Sequence, residues 1–186
     1  MERRIGRPGR AYYFFALLPD LTAAASADNM ARALRHWLGL TGRPRGLDKY
    51  HVTLWGWSAD GEPGAQGTGL MHRAAERVCQ CSFRLSFNEV ASFAQAAERP
   101  ALVMTGGDSV VGADRLHASL DREMRSGGFC GKRSSCHPHL TLLYDRSRAT
   151  AFRVRPLSWQ VTDFVLIRSV PREPYEILGR WALAGP

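Results

Sequence analysis

Two short runs carry the residues best suited to chemistry. They are Tyr50-His51-Val52-Thr53-Leu54-Trp55 and, roughly half a chain later, His137-Pro138-His139-Leu140-Thr141-Leu142-Leu143-Tyr144. Both contain His-x-Thr-Leu with an apolar residue at x. An imidazole titrating near ~6.5 can take or give a proton at neutral pH. A hydroxyl beside it can hydrogen-bond an anionic oxygen. Doubled, the set suits a phosphodiester. One of His51 and His139 takes the proton of an attacking oxygen and the other protonates the leaving oxygen. Thr53 and Thr141 bond the non-bridging oxygens. A lone His-x-Thr is usually a packed or surface pair; its duplication at this separation is what points to function.

For this to work, both runs must be strands. Side chains alternate along a strand, so His and Thr project to one face while Val52, Leu54, Leu140 and Leu142 face a core. Trp55 shares parity with His51, which would let it border the cleft and stack on a base, core packing being the other reading. Upstream, Tyr12-Tyr13-Phe14-Phe15-Ala16-Leu17 reads as a strand covered on both faces. A helix follows on the spacing of Ala27, Met30, Ala31, Leu34, Trp37 and Leu38, capped by Asp20 or Thr22 and ended by Gly39. The loop 41–46 carries Arg43 and Arg45, candidates for phosphate contact or solvated charges. The Gly-rich 61–69 segment fits neither phosphate-loop pattern and reads as a flexible connector before a helix from Leu70 to Cys79. Strands are expected over Phe83–Asn88 and Ala101–Thr105, then a helix through Ala113, Leu116, Leu120 and Met124. Two β runs, Trp159 to Val170 and Tyr175 to Leu183, close the chain as a hairpin. Strand, helix and His-x-Thr strand recur in each half. The expected class is α+β: two pseudo-symmetric lobes, each a mostly antiparallel sheet with helices outside and a groove between. Residues 1–11 are expected to be a flexible basic tail and 12–183 a single bilobal domain.

Through its paired motifs, its opening strand ending Leu18-Pro19 and its closing Tyr175-to-Leu183 run, the chain resembles the 2H phosphoesterases, most closely the bacterial 2'-5' RNA ligase-like proteins. The resemblance implies metal-free hydrolysis of RNA 2',3'-cyclic phosphates to 2'-phosphates, with reversible 2'-5' joining. It implies that His51 donates a proton to the leaving 3'-oxygen, that His139 activates water, and that aromatics of the opening strand, Phe15 among them, line the cleft floor. Family members often carry an Arg shortly after the second motif, where this chain has Tyr144. Arg146, Arg148, Arg43 or Lys132 would then supply the phosphate clamp.

The 186 residues carry a net charge of +8, and every basic residue except Lys49 and Lys132 is Arg. Such a field draws an anionic RNA end, and the planar guanidinium bonds two oxygens at once. A genomic bias toward Arg would give the same count. No apolar run approaches the ~18 residues of a membrane span, and the basic N-terminus lacks a signal-peptide pattern. A cytoplasmic monomer without cofactor or metal is expected, its partner an RNA or nucleotide with a 2',3'-cyclic phosphate end. Cys79, Cys81, Cys130 and Cys136 lack the usual zinc spacing and read as reduced thiols. Two alternatives share the cleft: a phosphodiesterase for a small cyclic nucleotide or 2'-5' oligonucleotide, and a non-catalytic RNA- or nucleotide-binding module.

Overall fold

The computed structural model describes residues 11–57, 61–93, 98–132 and 136–185. Residues 1–10 of the expected tail lie outside them, whereas Ala11 is buried with its amide on Glu62 Oε1. The strands are β1 (Tyr12–Leu17), β2 (Val52–Gly56), β3 (Phe83–Phe93), β4 (Ala101–Thr105), β5 (His139–Tyr144), β6 (Phe152–Val161), β7 (Asp163–Ser169) and β8 (Glu176–Ala182). They form one eight-stranded sheet in the order β6-β3-β4-β5-β2-β1-β7-β8, and every pairing is antiparallel. Helices α1 (Leu21–Trp37), α2 (Gly64–Glu76) and α3 (Val111–Ser126) complete the α+β fold. No helix among the described residues is long and apolar enough to cross a membrane.

The two lobes are the two halves of this sheet, meeting between β5 and β2. The unit β1-α1-β2 in one half matches β4-α3-β5 in the other, as the repeated order of elements anticipates. The helices cross over. α1, capped by Asp20 through a 2.7 Å bond from the Ala23 amide, packs on β5 and β6; α3 packs on β2 and β3. α1 thus covers strands of the other half, and α3 spans strands of both. Apolar side chains from both halves, including Leu17, Val52, Leu116, Leu120 and Leu140, merge in a single core.

Two expectations about elements need correction. The Gly-rich segment is not a connector, since the first turns of α2 run from Gly64, with Pro63 at the cap where its missing N–H costs nothing. The run from Trp159 to Val170 is not one strand either. It divides at Thr162 into β6, on the outer edge beside β3, and β7, beside β1. An uninterrupted apolar pattern carries no mark of such a crossing.

Both motif strands contain a β-bulge at the same motif position. Ala16 opposes Thr53 and Phe15 opposes Trp55, so Leu54 is the extra residue in β2. Val103 opposes Thr141 and Leu102 opposes Leu143, making Leu142 the extra residue in β5. A bulge turns two successive side chains to one side and frees a carbonyl from the ladder. Leu54 with Trp55, and Leu142 with Leu143, are accordingly all buried. The Leu54 carbonyl accepts from His117 Nδ1 on α3 at 2.9 Å, and the Leu142 carbonyl accepts from the Arg45 amide at 2.9 Å.

The bulge overturns the cleft placement of Trp55. Simple alternation sets it beside His51, but the extra residue reverses the parity after Thr53. Trp55 is 1% exposed, packs on Phe15 and Phe129, and donates its indole N–H to Asp121 of α3. Phe15 is corrected for a related reason. It is fully buried against Trp55, Phe164 and Trp181, and its neighbour Phe14 takes the cleft face. Four consecutive aromatics give no parity by which to choose between them.

A core Trp55 predicts that Trp55→Ala lowers unfolding free energy by about 3–5 kcal/mol in chemical denaturation. A variant with the parental midpoint but weakened ligand binding would return Trp55 to the cleft.

Candidate active site

The two motif strands pair at Val52 opposite Leu140, both side chains fully buried in the core. Carrying this antiparallel register one residue either way sets His51 across from Thr141 and Thr53 across from His139, all four on the face away from the helices. Diagonal neighbours in such a pair lie about 7–8 Å apart, and His51 and His139 stand in that relation. Beyond this point the strands separate: Arg45 and Pro44, not β2, pair with Leu142 and Leu143. The cleft opens where β2 leaves β5.

Both rings are anchored in the same way. His51 Nδ1 lies 2.9 Å from the Lys49 carbonyl and His139 Nδ1 lies 2.7 Å from the His137 carbonyl, two residues upstream in each case. A carbonyl can only accept, so each Nδ1 carries the proton and Nε2 is the nitrogen left to exchange one. The strand start at His51 is also tied down. Tyr50 is buried and its hydroxyl bonds Asp28 of α1, which pairs with Arg32 at 2.6 Å. Burial, and then the Asp28 carboxylate, push the Tyr50 phenol well above its ordinary range, so it serves as a fixed donor.

Aromatic rings flank each imidazole. Phe14 and Tyr175 lie 5.3 and 5.4 Å from the His51 ring, and Phe93 lies 4.8 Å from the His139 ring. The Tyr175 hydroxyl is 3.4 Å from His51 Nδ1 and accepts from Arg45 Nη2 at 3.3 Å. Burial raises its pKa against the lowering pull of Arg45, and the phenol stays protonated at neutral pH. Lys49 Nζ sits 4.0 Å over the Tyr175 ring.

Of the residues expected to contact phosphate or base, the structure brings Arg43 and Tyr144 together with two arginines not proposed for this clamp. Thr41, Arg43, Pro44, Arg45, Arg99 and Tyr144 line an open hollow of about 410 Å³. The Arg45 guanidinium lies 5.4 Å over the Tyr144 ring, and Arg99 Nη2 donates to the Tyr144 carbonyl at 3.2 Å. Arg146 and Arg148 stand exposed on the turn after β5, outside this lining, and Lys132 is exposed near the end of the α3–β5 connection.

Asp145 holds the arginine loop in place. One oxygen accepts from the Thr41 amide at 2.7 Å, the Gly42 amide and the Thr41 hydroxyl; the other accepts from the Ser147 amide at 2.8 Å. Gly42 is obligatory here because a Cβ would collide with the Tyr144 carbonyl oxygen.

No family model matches the sequence. It is 31% identical over 177 residues to the RNA 2',3'-cyclic phosphodiesterase of Escherichia coli (strain K12), spanning 91% of this chain and 95% of that protein. The chain belongs to the 2'-5' RNA ligase-like family of 2H phosphoesterases. Its fold matches Escherichia coli LigT in apo form, with TM-score 0.72 and 26% identity over 96% of this chain and 99% of that one. It also matches LigT complexed with 3'-AMP, with TM-score 0.69 and 25% identity over 95% and 99%.

In this 2H phosphoesterase the reading of the motifs missed Tyr175, Phe14, Phe93 and Asp145. Asp145 had a legible signal: an acidic residue directly after a motif strand, within reach of a Gly-containing loop. Tyr175 and Phe93 had none, since their approach to the histidines follows from long-range strand order.

Burial raises the Asp145 pKa, but the Ser147, Gly42 and Thr41 amides and the Thr41 hydroxyl outweigh it and hold the carboxyl below its usual range. A depressed folded pKa stabilises the protein above the unfolded value of ~3.9, and that contribution fades as pH falls through the folded value. Asp145→Asn is therefore expected to cost about 2 kcal/mol at pH 7. Urea denaturation should show the gap to the parent closing below about pH 4. A gap that is constant down to pH 2.5 would contradict this role.

Proposed function

We propose that this protein hydrolyses 2',3'-cyclic phosphate ends of RNA to 2'-phosphates, with His139 as base and His51 as acid. The reading is carried by two His–Thr pairs facing each other across the Val52–Leu140 bridge, both rings held through Nδ1 by a backbone carbonyl. His139 Nε2 takes a proton from water as its oxygen attacks phosphorus. The bond from phosphorus to the 3'-oxygen breaks, and His51 Nε2 supplies the proton that this oxygen needs. Opposed placement suits an in-line displacement, because entering and leaving oxygens lie on opposite sides of phosphorus. Thr53 and Thr141 donate to the non-bridging oxygens, where charge builds in the transition state. These steps use proton transfer and hydrogen bonding alone, so activity is expected to survive EDTA.

Arg45 takes the place of the arginine that relatives often carry where this chain has Tyr144. Its Nε is buried without a hydrogen-bond partner, and a buried donor so placed costs about 1–3 kcal/mol until an acceptor arrives. An oxyanion beside Tyr175 would satisfy it. Phe14 and Tyr175 offer ring faces on which a base can stack. With a 5'-hydroxyl in place of water, the same displacement yields a 2'-5' linkage, and its reversal regenerates the cyclic end. The phosphodiesterase name of the Escherichia coli relative and the 3'-AMP complex of LigT support a nucleotide-end substrate.

His51→Ala and His139→Ala are each expected to lower kcat/KM on a nucleoside 2',3'-cyclic phosphate by about 10²–10⁴-fold. Resolving the product should give the 2'-phosphate. Parental rates in both variants would end the assignment. Arg45→Gln is expected to lower kcat/KM by about tenfold to a hundredfold, the loss of one charged hydrogen bond, with partial recovery in Arg45→Lys. A parental kcat/KM in Arg45→Gln would remove it from the site.

A further inference from the structure

We propose that the hollow beside Tyr144 holds a second phosphate of the substrate, one that is not cleaved, and so selects an RNA chain over a mononucleotide. The inference rests on the proposed function and specifies its substrate class. Arg43, Arg45 and Arg99 all line this hollow, and no carboxylate is among its lining residues. Among the described residues Arg43 has no ion pair, and Arg99 bonds only the Tyr144 carbonyl. Asp145, directly after β5, is turned to the Thr41, Gly42 and Ser147 amides and the Thr41 hydroxyl rather than to these guanidiniums. Cations gathered on one wall repel each other, and an anion relieves that repulsion.

The backbone under these arginines is held firmly. Asp145 staples Thr41 and Gly42, Pro44 bridges Leu143, and the Arg45 amide bonds the Leu142 carbonyl. A preorganised cationic wall loses little entropy when it meets a phosphate. Arg45 links the hollow to the histidines, since it lines the hollow and its guanidinium reaches the Tyr175 hydroxyl next to His51. Tyr144 ends the strand that His139 begins. A strand of RNA with its cyclic end between the histidines can thus run along β5 and lay a neighbouring phosphate among Arg43, Arg45 and Arg99.

The test compares the parent with the double variant Arg43→Gln/Arg99→Gln on three substrates sharing a terminal nucleoside: its 2',3'-cyclic phosphate, the same compound with a 5'-phosphate, and a short oligoribonucleotide with a cyclic end. At low salt the parent is expected to favour the oligonucleotide at least tenfold in kcat/KM. The double variant should lose about tenfold on the oligonucleotide and less than threefold on the plain nucleoside cyclic phosphate. The slope of log kcat/KM against log salt should fall by about 0.7 for each phosphate contact removed. Equal kcat/KM of the parent on all three substrates overturns the proposal, as does a proportional loss on all three in the double variant. A preference satisfied in full by the 5'-phosphorylated mononucleotide overturns selection for a chain. Should the parent turn over none of the three, the proposed function fails by itself. Affinity for a 2'-phosphate-ended oligonucleotide then decides the hollow, a tenfold loss in the double variant supporting it and equal affinities overturning it. Arg43→Lys/Arg99→Lys should keep most of the preference, which separates lost charge from a disturbed loop.

Discussion

The cross-strand contact of Val52 with Leu140 is the constraint on which this molecule depends. It is the one register pair between the motif strands, and both of its side chains are fully buried. Because successive residues on a strand face opposite ways, burying these two obliges His51, Thr53, His139 and Thr141 to share the opposite face of the sheet. A slip of one residue would send the imidazoles into the core and the aliphatic side chains into the cleft. Hydrophobic burial, a force with no directional preference of its own, therefore sets the geometry of four polar side chains.

Two devices keep that geometry fixed. The bulges at Leu54 and Leu142 end the alternation just past each Thr, so that large side chains return to the core immediately beyond the site. Their freed carbonyls are occupied, one by His117 and the other by the Arg45 amide, which ties each bulge to a different element. The exchanged helices add a second restraint, since movement of either half-sheet would strip apolar surface from a helix belonging to the other. Sites on strands braced in this way are held more closely than sites on loops. The arginines are the exception. They arrive on a loop, and Asp145 with Gly42 gives that loop the firmness of a strand edge.

The class of fold, the repeated strand–helix–strand unit and the facing motifs were all legible in the residues, because each rests on local periodicity or on a pattern that occurs twice. What could not be read has common physical causes. Trp55 could not be assigned between cleft and core because a bulge leaves no signature in composition while reversing every side chain after it. Phe15 and Phe14 could not be told apart inside a run that is apolar on both faces. The division at Thr162 and the approach of Tyr175 to His51 depend on which strands lie side by side, and alternation within a strand is silent about its neighbours. Arg45 was visible as a charge in a loop, but the acceptors that hold its loop sit on residues far along the chain.

The strand order also dictates when the protein can fold. β1 needs β2 on one side and β7 on the other, and Tyr12 finds its partner in Ser169. A nascent chain that has emitted β1, α1 and β2 holds a cleft-forming histidine but an unfinished edge, while α1 waits for β5 and β6 to cover it. Both margins of the sheet, β6 and β8, come late in these 186 residues, so neither closes until long after β1 and β2 have been made. Pairings between such distant segments make for slow assembly and a prolonged spell of exposed apolar backbone edge. Completion of the sheet therefore waits on late segments, and exposure to chaperones and proteases is concentrated in the interval before β7 docks on β1.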